Sequence, residues 1–139
     1  MNHRRLMLVA CLAAPALTLA APAIAADTQG MVSPAFKEAI SNIPGKSIVA
    51  VTVDYPPGGK SGAHHHAKSA FITGYVLSGA IRSQVDDGPV KTYKAGEHFT
   101  ETPEAHHRVS ENASDTEPAK LLAIFVVDSN DTPLTMPDK

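Results

Sequence analysis

Residues 58–66 read Gly-Gly-Lys-Ser-Gly-Ala-His-His-His, a glycine-rich loop that runs into three consecutive histidines. Side chains alternate between the two faces of an extended strand, so His64 and His66 project from one side and His65 from the other. A second pair, His106 and His107, follows further along the chain. Neutral imidazole is the commonest protein ligand for first-row divalent metals. The pattern predicts a metal site that a histidine from a distant strand completes.

The chain around these histidines is typical of an all-β protein. Short segments rich in Val, Ile and Tyr alternate with Gly/Pro turns, which is the pattern of a sandwich or barrel. One short helix is predicted over residues 33–40, because Ser33 can cap it and Pro34 suits its first position. The predicted strands cover residues 47–55, 71–77, 80–85, 90–93, 97–101, 106–110 and 121–127. The last of these is nearly continuous in apolar residues and is predicted to be a central strand.

The first 26 residues predict a cleaved export signal. A basic start precedes an apolar run over residues 6–19, and Ala-Ile-Ala at 23–25 is a small-x-small cleavage site. The run is too short to span a bilayer as a retained helix. Cleavage near Ala25 or Ala26 predicts a periplasmic or secreted protein. Residues 8–11 resemble a lipoprotein box but lie too close to the start, so the ordinary secretory route is favoured.

Cleavage would remove Cys11, the only cysteine, and leave no disulfide and no thiolate ligand. The remaining 113 residues suffice for one domain. Its predicted parts are an N-terminal segment with the helix (27–45), a β-barrel (46–128) and a loose tail (129–139).

Charge excludes one class of partner and hydropathy another. Without Arg4 and Arg5, 10 basic residues remain against 14 acidic ones, a net charge of −4. No basic patch or aromatic series attracts nucleic acid. No membrane segment follows the signal.

The first histidine segment resembles the first motif of the cupin superfamily, which has a glycine, five residues and then His-x-His. Gly58, His64 and His66 occupy these positions, and residues 75–79 stand where the motif ends. The second cupin motif has a glycine, five residues, a Pro/Gly turn, a histidine and an asparagine. Here Gly96 begins it, the turn is at 102–105 and His107 matches the histidine.

This resemblance covers residues 49–127 and implies a small single-domain jelly-roll β-barrel with a metal site inside. The implied ligands are His64, His66 and His107. They would hold one divalent first-row transition metal, Fe, Mn, Ni, Cu or Zn. The resemblance also implies a small-molecule substrate or ligand and, because exposed strand edges can pair, a homodimer.

The fourth ligand departs from the cupin motif, whose glutamate falls near 70–72, where this chain has Ala, Phe and Ile. Strand alternation offers Glu101, which shares a face with Phe99, a residue expected to point inward. A buried carboxylate needs a compensating partner. Glu101 is therefore predicted as the fourth ligand, as the base that deprotonates a substrate, or as an ion-pair partner of Arg82 or Lys91.

The same alternation over residues 106–110 turns Val109 and His107 inward and His106 outward. A register slip of one residue would exchange the two histidines, so His106 is the alternative ligand. His65 is expected at the surface, and His98 either at the surface or behind the metal ligands.

Four aromatic residues are predicted to be core, namely Phe71, Tyr75, Phe99 and Phe125. Tyr75 can also line the cavity. Arg82 and Gln84 share one strand face, which is either solvent-exposed or reaches the barrel mouth to orient a substrate carboxylate or carbonyl. The substrate-binding candidates are thus Arg82, Gln84 and Tyr75.

Three imidazoles and at most one carboxylate leave coordination positions open for water, dioxygen or a substrate oxygen. The predicted function is a metal-dependent, dioxygenase-like enzyme acting on a small enol, diketone or phenolic molecule. The alternative is a non-catalytic periplasmic cupin that binds a metal or a small molecule. The mature chain offers no cysteine nucleophile and no convincing Ser/His/Asp set.

Overall fold

A computed structural model describes residues 29–139. The predicted export signal, its cleavage site and Cys11 lie outside the described residues. Residues 29–139 form eleven strands and no helix. The strands are β1 (Met31–Ala39), β2 (Lys46–Tyr55), β3 (Lys60–Ser61), β4 (His64–His66), β5 (Phe71–Ser78), β6 (Ala80–Val85), β7 (Lys91–Lys94), β8 (His98–Glu101), β9 (His106–Asn112), β10 (Ala119–Asp128) and β11 (Thr135–Pro137). No helix of this part of the chain is long and apolar enough to cross a membrane.

The strands form two sheets whose strand pairs are antiparallel. One sheet has the order β1-β2-β10-β5-β8, and the other has the order β11-β4-β9-β6-β7 with β3 also paired to β9. β10 pairs with both β2 and β5, so the prediction that it is a central strand is confirmed. Apolar side chains of both sheets meet between them, as in other packed β-sandwiches. The predicted all-β jelly-roll architecture is confirmed.

The predicted helix over residues 33–40 is wrong, because this segment is the edge strand β1. β1 pairs with β2 from Met31 opposite Asp54 to Ala39 opposite Ser47. The register shifts between Pro34 and Phe36, so the proline falls at an irregularity of an edge strand, where a missing N–H is tolerated. An isolated helix of eight residues is marginal in water, and the ladder with β2 offers more hydrogen bonds.

The buried core has two apolar clusters, with a cavity between them. One includes Tyr55, Val76 and Phe99, and the other includes Ile72 and Phe125. The predicted core positions of Phe99 and Phe125 are therefore confirmed.

Phe71 and Tyr75 are not core residues. They are 43% and 40% exposed on the outer face of β5, while Ile72, Gly74 and Val76 face inward. The alternation of side chains along β5 assigns both aromatic residues to the outer face, in agreement with the structure.

The C-terminal tail, predicted to be loose, contributes strand β11, which pairs with β4. Just before it, Asp131 anchors a loop. Its Oδ2 accepts hydrogen bonds from the backbone amide and the hydroxyl of Ser69, both 2.8 Å long.

Replacing this anchor, Asp131→Asn, is expected to remove a pH-dependent contribution to stability. The hydrogen bonds from Ser69, of which the one from its backbone amide has the larger effect, hold the pKa of Asp131 below its usual value. The contribution of a carboxyl with a depressed pKa is fully present above its unfolded pKa of about 3.9 and disappears as pH falls through the folded value. Thermal melts of wild type and variant should differ at neutral pH and converge in acid. A difference that persists in strong acid would contradict this.

Candidate metal centre

β4 places two histidine side chains inside the barrel. His64 and His66 are buried, and His65 between them faces outward. His64 Nδ1 lies 2.7 Å from the carbonyl oxygen of Gly62, and His66 Nδ1 lies 3.0 Å from that of Leu134. A carbonyl oxygen only accepts, so both Nδ1 atoms carry the proton. In the neutral form of each ring, the lone pair of Nε2 is therefore available for a metal.

The third histidine, His107, lies directly opposite His64 in the β4–β9 ladder. It is buried, with Nε2 2.9 Å from the hydroxyl of Ser83 and Nδ1 3.2 Å from Oε1 of Glu101. The ring of Phe99 packs edge-on against it at a centroid distance of 5.5 Å. One ligand atom each from His64, His66 and His107 lie within 4.8 Å of one another. These three residues form a group that can hold a metal ion.

β8 brings Glu101 to the same point. It is 2% exposed and shares the inner face of β8 with Phe99, as the alternation requires. Its Oε2 lies 3.3 Å from His66 Nε2. Burial is the largest influence on the pKa of Glu101 and raises it, but hydrogen bonds and charge from His107 and His66 outweigh burial and lower the pKa to about 2. Glu101 is therefore ionised at neutral pH.

The contact between Glu101 and His66 fits a cation. Although the two atoms are close, Glu101 Oε2 has no hydrogen bond of good geometry and is buried. In a neutral His66 with its proton on Nδ1, a lone pair of Nε2 would face the carboxylate oxygen, so the contact needs either a second ring proton or a metal ion between the two atoms. Burial also lowers the pKa of His64, which favours the neutral form that binds metals. The residues present therefore suit a divalent metal.

The four side chains line one wall of a cavity of about 260 Å³. Most of the remaining wall is apolar and is formed by residues such as Val51, Ile72, Leu121 and Phe125. One further polar group on the wall is the buried hydroxyl of Tyr55, hydrogen-bonded to the hydroxyls of Ser61 and Ser110. Burial, as the largest cause, raises the pKa of Tyr55, so the phenol stays neutral.

The predicted substrate-binding residues Arg82, Gln84 and Tyr75 do not line this cavity. Arg82 Nε lies 2.8 Å from Oε1 of Glu111, an ion pair at the surface. Gln84 Nε2 donates to the carbonyl of Gly88 in the adjacent turn. The suggested ion pair of Glu101 with Arg82 or Lys91 is also wrong, because the partners of Glu101 are the two histidines.

Sequence reasoning missed Ser83 and Tyr55, which the structure places at the site. Ser83 lies between Arg82 and Gln84 on β6, so the face opposite to the proposed pair is the inner one. Tyr55 continues the inward series Val49, Val51 and Val53 on β2. Alternation along β2 and β6 would have indicated both.

Gly74→Ala is expected to disturb the site through Phe99. A β-carbon at Gly74 would lie 2.5 to 2.9 Å from three ring carbons of Phe99, which itself packs on His107. Overpacking of this kind costs about 1–3 kcal/mol, so urea unfolding should show a loss of that size. Gly62→Ala is the control, because its β-carbon would meet nothing within 4 Å. Equal stability of the two variants would contradict the close contact.

A family model described as "Cupin domain" matches residues 51–125, which is 75 of the 139 residues. The chain belongs to the cupin family. Solved structures of similar fold include an uncharacterized protein with a double-stranded β-helix domain from Klebsiella pneumoniae, 20% identical with a TM-score of 0.61, covering 78% of this chain and 85% of that one. A comparison with curated proteins gives no significant match.

Two enzymes also share the fold of this cupin at low identity. An oxalate oxidase in complex with glycolate is 18% identical with a TM-score of 0.61, over 81% of this chain and 57% of the other. A DMSP lyase from Ruegeria pomeroyi is 17% identical with a TM-score of 0.53, over 65% of this chain and 42% of the other. At these identities the likeness shows the cupin fold alone.

Proposed function

We propose that this cupin is an exported, metal-dependent oxygenase that acts on a small enol, diketone or phenolic molecule. The observation that carries the proposal is the meeting of three imidazoles and one carboxylate on the wall of an apolar cavity. A divalent first-row metal bound there supplies a Lewis acid for a substrate oxygen and, where it is redox-active, a centre for dioxygen.

His64, His66 and His107 would hold the metal. The carbonyls of Gly62 and Leu134 fix the rings of His64 and His66 by holding their Nδ1 protons, and Ser83 holds the ring of His107. Because these rings are already held in place, little side-chain conformational entropy is lost when the ion binds.

Glu101 has two roles open to it, and both use the same atom. As a ligand, Oε2 completes the metal site beside His66. As a base, Oε2 accepts the proton of the substrate's enol or phenol hydroxyl. Its low pKa keeps the carboxylate ionised at neutral pH, which both roles require.

The cavity supports a small, mainly apolar substrate. Its volume of about 260 Å³ lies below the range of pockets that hold drug-sized ligands, about 300–1,000 Å³. The apolar wall would contact the body of the molecule and exclude water, while its oxygen atoms face the histidines. The Tyr55 hydroxyl is a further polar contact for the substrate.

The test is dioxygen consumption by the purified, metal-loaded protein on a panel of small enols, diketones and phenols. Oxalate belongs in the panel because an oxalate oxidase shares the fold. Turnover that disappears in His107→Ala and persists in His98→Ala would support the proposal, because His98 is exposed on β8 away from the cavity. Failure of every panel member to stimulate dioxygen uptake counts against it.

The alternative proposal is a non-catalytic periplasmic cupin that holds a metal or small ligand. The hydroxyl of Tyr55 already has two hydrogen-bond partners, so it offers a ligand at most one further acceptor position, and most of the remaining wall is apolar. Saturable binding of panel molecules without turnover would favour this alternative.

Export and pairing remain predictions for this cupin. N-terminal sequencing of protein from the periplasm should begin at Ala26 or Asp27 if the signal is cleaved as proposed.

Light scattering would measure the predicted homodimer, for which the exposed Phe71 and Tyr75 on the outer face of β5 offer apolar area.

A further inference from the structure

The outer face of β4 and β9 carries a second group of metal-binding side chains. His65 lies opposite His106 in the same ladder that places His64 opposite His107. Alternation therefore puts one histidine pair inside the barrel and the other outside it. β11 runs along β4 with Met136 opposite His65, and Asp138 follows directly after β11.

The side chains of His65 and His106 converge on the carboxylate of Asp138. The rings of His65 and His106 stack at a centroid distance of 4.3 Å and an interplanar angle of 14°. Asp138 Oδ2 lies 2.8 Å from His106 Nε2, and its Oδ1 lies 3.9 Å from His65 Nε2. Ligand atoms from all three residues lie within 4.8 Å of one another. The backbone also fixes Asp138, because its amide donates to the carbonyl of Ala63.

We infer that His65, His106 and Asp138 form a second transition-metal site, separate from the barrel cavity, whose occupant fastens the C-terminal strand to the barrel. Two imidazole nitrogens and one carboxylate oxygen are a donor set that suits Zn²⁺ or Cu²⁺, with water completing the coordination. The side chains of His65 and Asp138 are 47% and 40% exposed, so an ion reaches them directly from solvent.

A shallow surface pocket lies beside this outer site. His65 and Asp138 line it together with Glu104, a further carboxylate, and two lysines, Lys68 and Lys139. The lysine stems are long and flexible, so their ammonium groups can turn away into water. Without a metal, the same residues would form an ion pair between Asp138 and a protonated His106, and this is the arrangement that the experiment must distinguish.

The outer site joins the C-terminal strand to the inner centre. The carbonyl of Leu134, just before β11, holds the Nδ1 proton of His66. Asp138, just after β11, would bind the outer metal. An occupied outer site thus restrains one end of the strand, and the carbonyl at the other end orients His66. The inference needs only the side chains outside the barrel and does not rest on the proposed oxygenase activity.

Equilibrium dialysis of the metal-stripped full chain against Zn²⁺ tests the site. Wild type is expected to bind two equivalents, and His106→Ala and Asp138→Asn one each. His107→Ala should also bind one, because the outer site stays intact when the inner one is damaged. His98→Ala, an exposed histidine outside both groups, should bind two like wild type.

Hydrogen exchange of the C-terminal segment provides a second readout. In His107→Ala, Zn²⁺ should slow exchange of the Asp138 amide, which is bonded to Ala63. The double variant His107→Ala/Asp138→Asn should show no slowing. The inference is overturned if His106→Ala and Asp138→Asn bind as much Zn²⁺ as wild type, or if His107→Ala binds none.

Discussion

His107→Ala is expected to abolish tight metal binding at the inner centre and, with it, any turnover. His107 is one of three imidazoles that converge there, and the other two come from the single strand β4. Residues that merely support a metal ligand change affinity by about 10–100-fold, so loss of a ligand itself should exceed about 100-fold. Metal content after dialysis against a weak chelator measures this loss. A His106→Ala background removes the outer site from the measurement.

Thermal stability should show the same loss in a different way. A metal present at about 100 times its dissociation constant stabilises a folded protein by about 2.7 kcal/mol. Metal addition should therefore raise the melting temperature of the His106→Ala protein, and it should leave His106→Ala/His107→Ala almost unchanged. Equal shifts in the two proteins would show that His107 is no ligand.

The alanine itself disturbs the metal-free protein, so a gentler variant is needed. His107 is buried and contacts Ser83 and Glu101. Truncation leaves these two polar groups without that partner, and each unsatisfied buried group lowers the free energy of unfolding by about 1–3 kcal/mol. His107→Gln keeps a polar side chain of similar reach. It should restore much of the metal-free stability while leaving metal affinity low. The replacement of His98 on β8 by alanine controls for loss of a histidine as such.

The sequence was sufficient to predict most of the barrel because short apolar segments alternate regularly with Gly/Pro turns along it. The segment 121–127 has an apolar pattern typical of a strand buried on both faces, and the structure gives β10 two neighbours. β1 was mistaken for a helix because Ser33 and Pro34 are typical helix starters. A local pattern does not reveal that β2 lies near enough to pair with it.

The inward orientation of His107 was predicted correctly, but on an incomplete argument. Alternation was expected to place Val109 on the same inner face. In the structure the β6–β9 register shifts between Gln84 and Val85, and the buried residues after His107 are Ser110 and Asn112. A bulge of this kind inserts a residue and changes which side chains face inward, and it leaves little trace in a sequence.

The sequence was sufficient to predict that Glu101 lies at the site, because its orientation depends only on its spacing from Phe99. Phe99 and Glu101 share one face of β8, and a phenylalanine at that position is expected inside. The carbonyls of Gly62 and Leu134 were beyond prediction, since main-chain partners depend on how loops and the C-terminal strand lie in space. The exposed positions of Arg82 and Gln84 followed from a choice of strand face that the sequence leaves open.

Glu101→Gln is expected to change the stability of the metal-free protein and the metal affinity or turnover of the metal-loaded protein. Glutamine has the shape of glutamate but no charge, so the cavity keeps its packing. In the metal-free protein its amide can donate to the lone pair of His66 Nε2, where the carboxylate has no well-formed hydrogen bond. The contacts of the carboxylate with His107 and His66, however, outweigh burial and hold the pKa of Glu101 at about 2, so the charge stabilises the fold above its unfolded pKa of about 4.3, and glutamine loses that contribution. The metal-free variant should therefore be less stable than wild type in urea unfolding at neutral pH, and the difference should shrink as pH falls toward 2.

The metal-loaded protein should distinguish the two proposed roles of Glu101. If Glu101 is the fourth ligand, the amide oxygen is a weaker donor, so metal affinity and turnover fall together. If Glu101 is the base, metal affinity stays unchanged and turnover falls by about 100–10,000-fold. Isothermal titration and dioxygen uptake on the same samples distinguish the two. Glu97→Gln is the matched control, because Glu97 is exposed just before β8 and accepts a hydrogen bond from the Lys94 amide.

A third result would remove Glu101 from both roles. Unchanged metal affinity and unchanged turnover in Glu101→Gln would mean that the carboxylate only balances the charge of the histidines around it. That role requires a proton on His66 or His107 in the folded protein, because neutral imidazoles bring no charge to balance. NMR titration of the two rings in the metal-free protein would detect such a proton at neutral pH. Two neutral rings together with a low-affinity Glu101→Gln variant would instead identify the metal as the cation that this buried carboxylate needs.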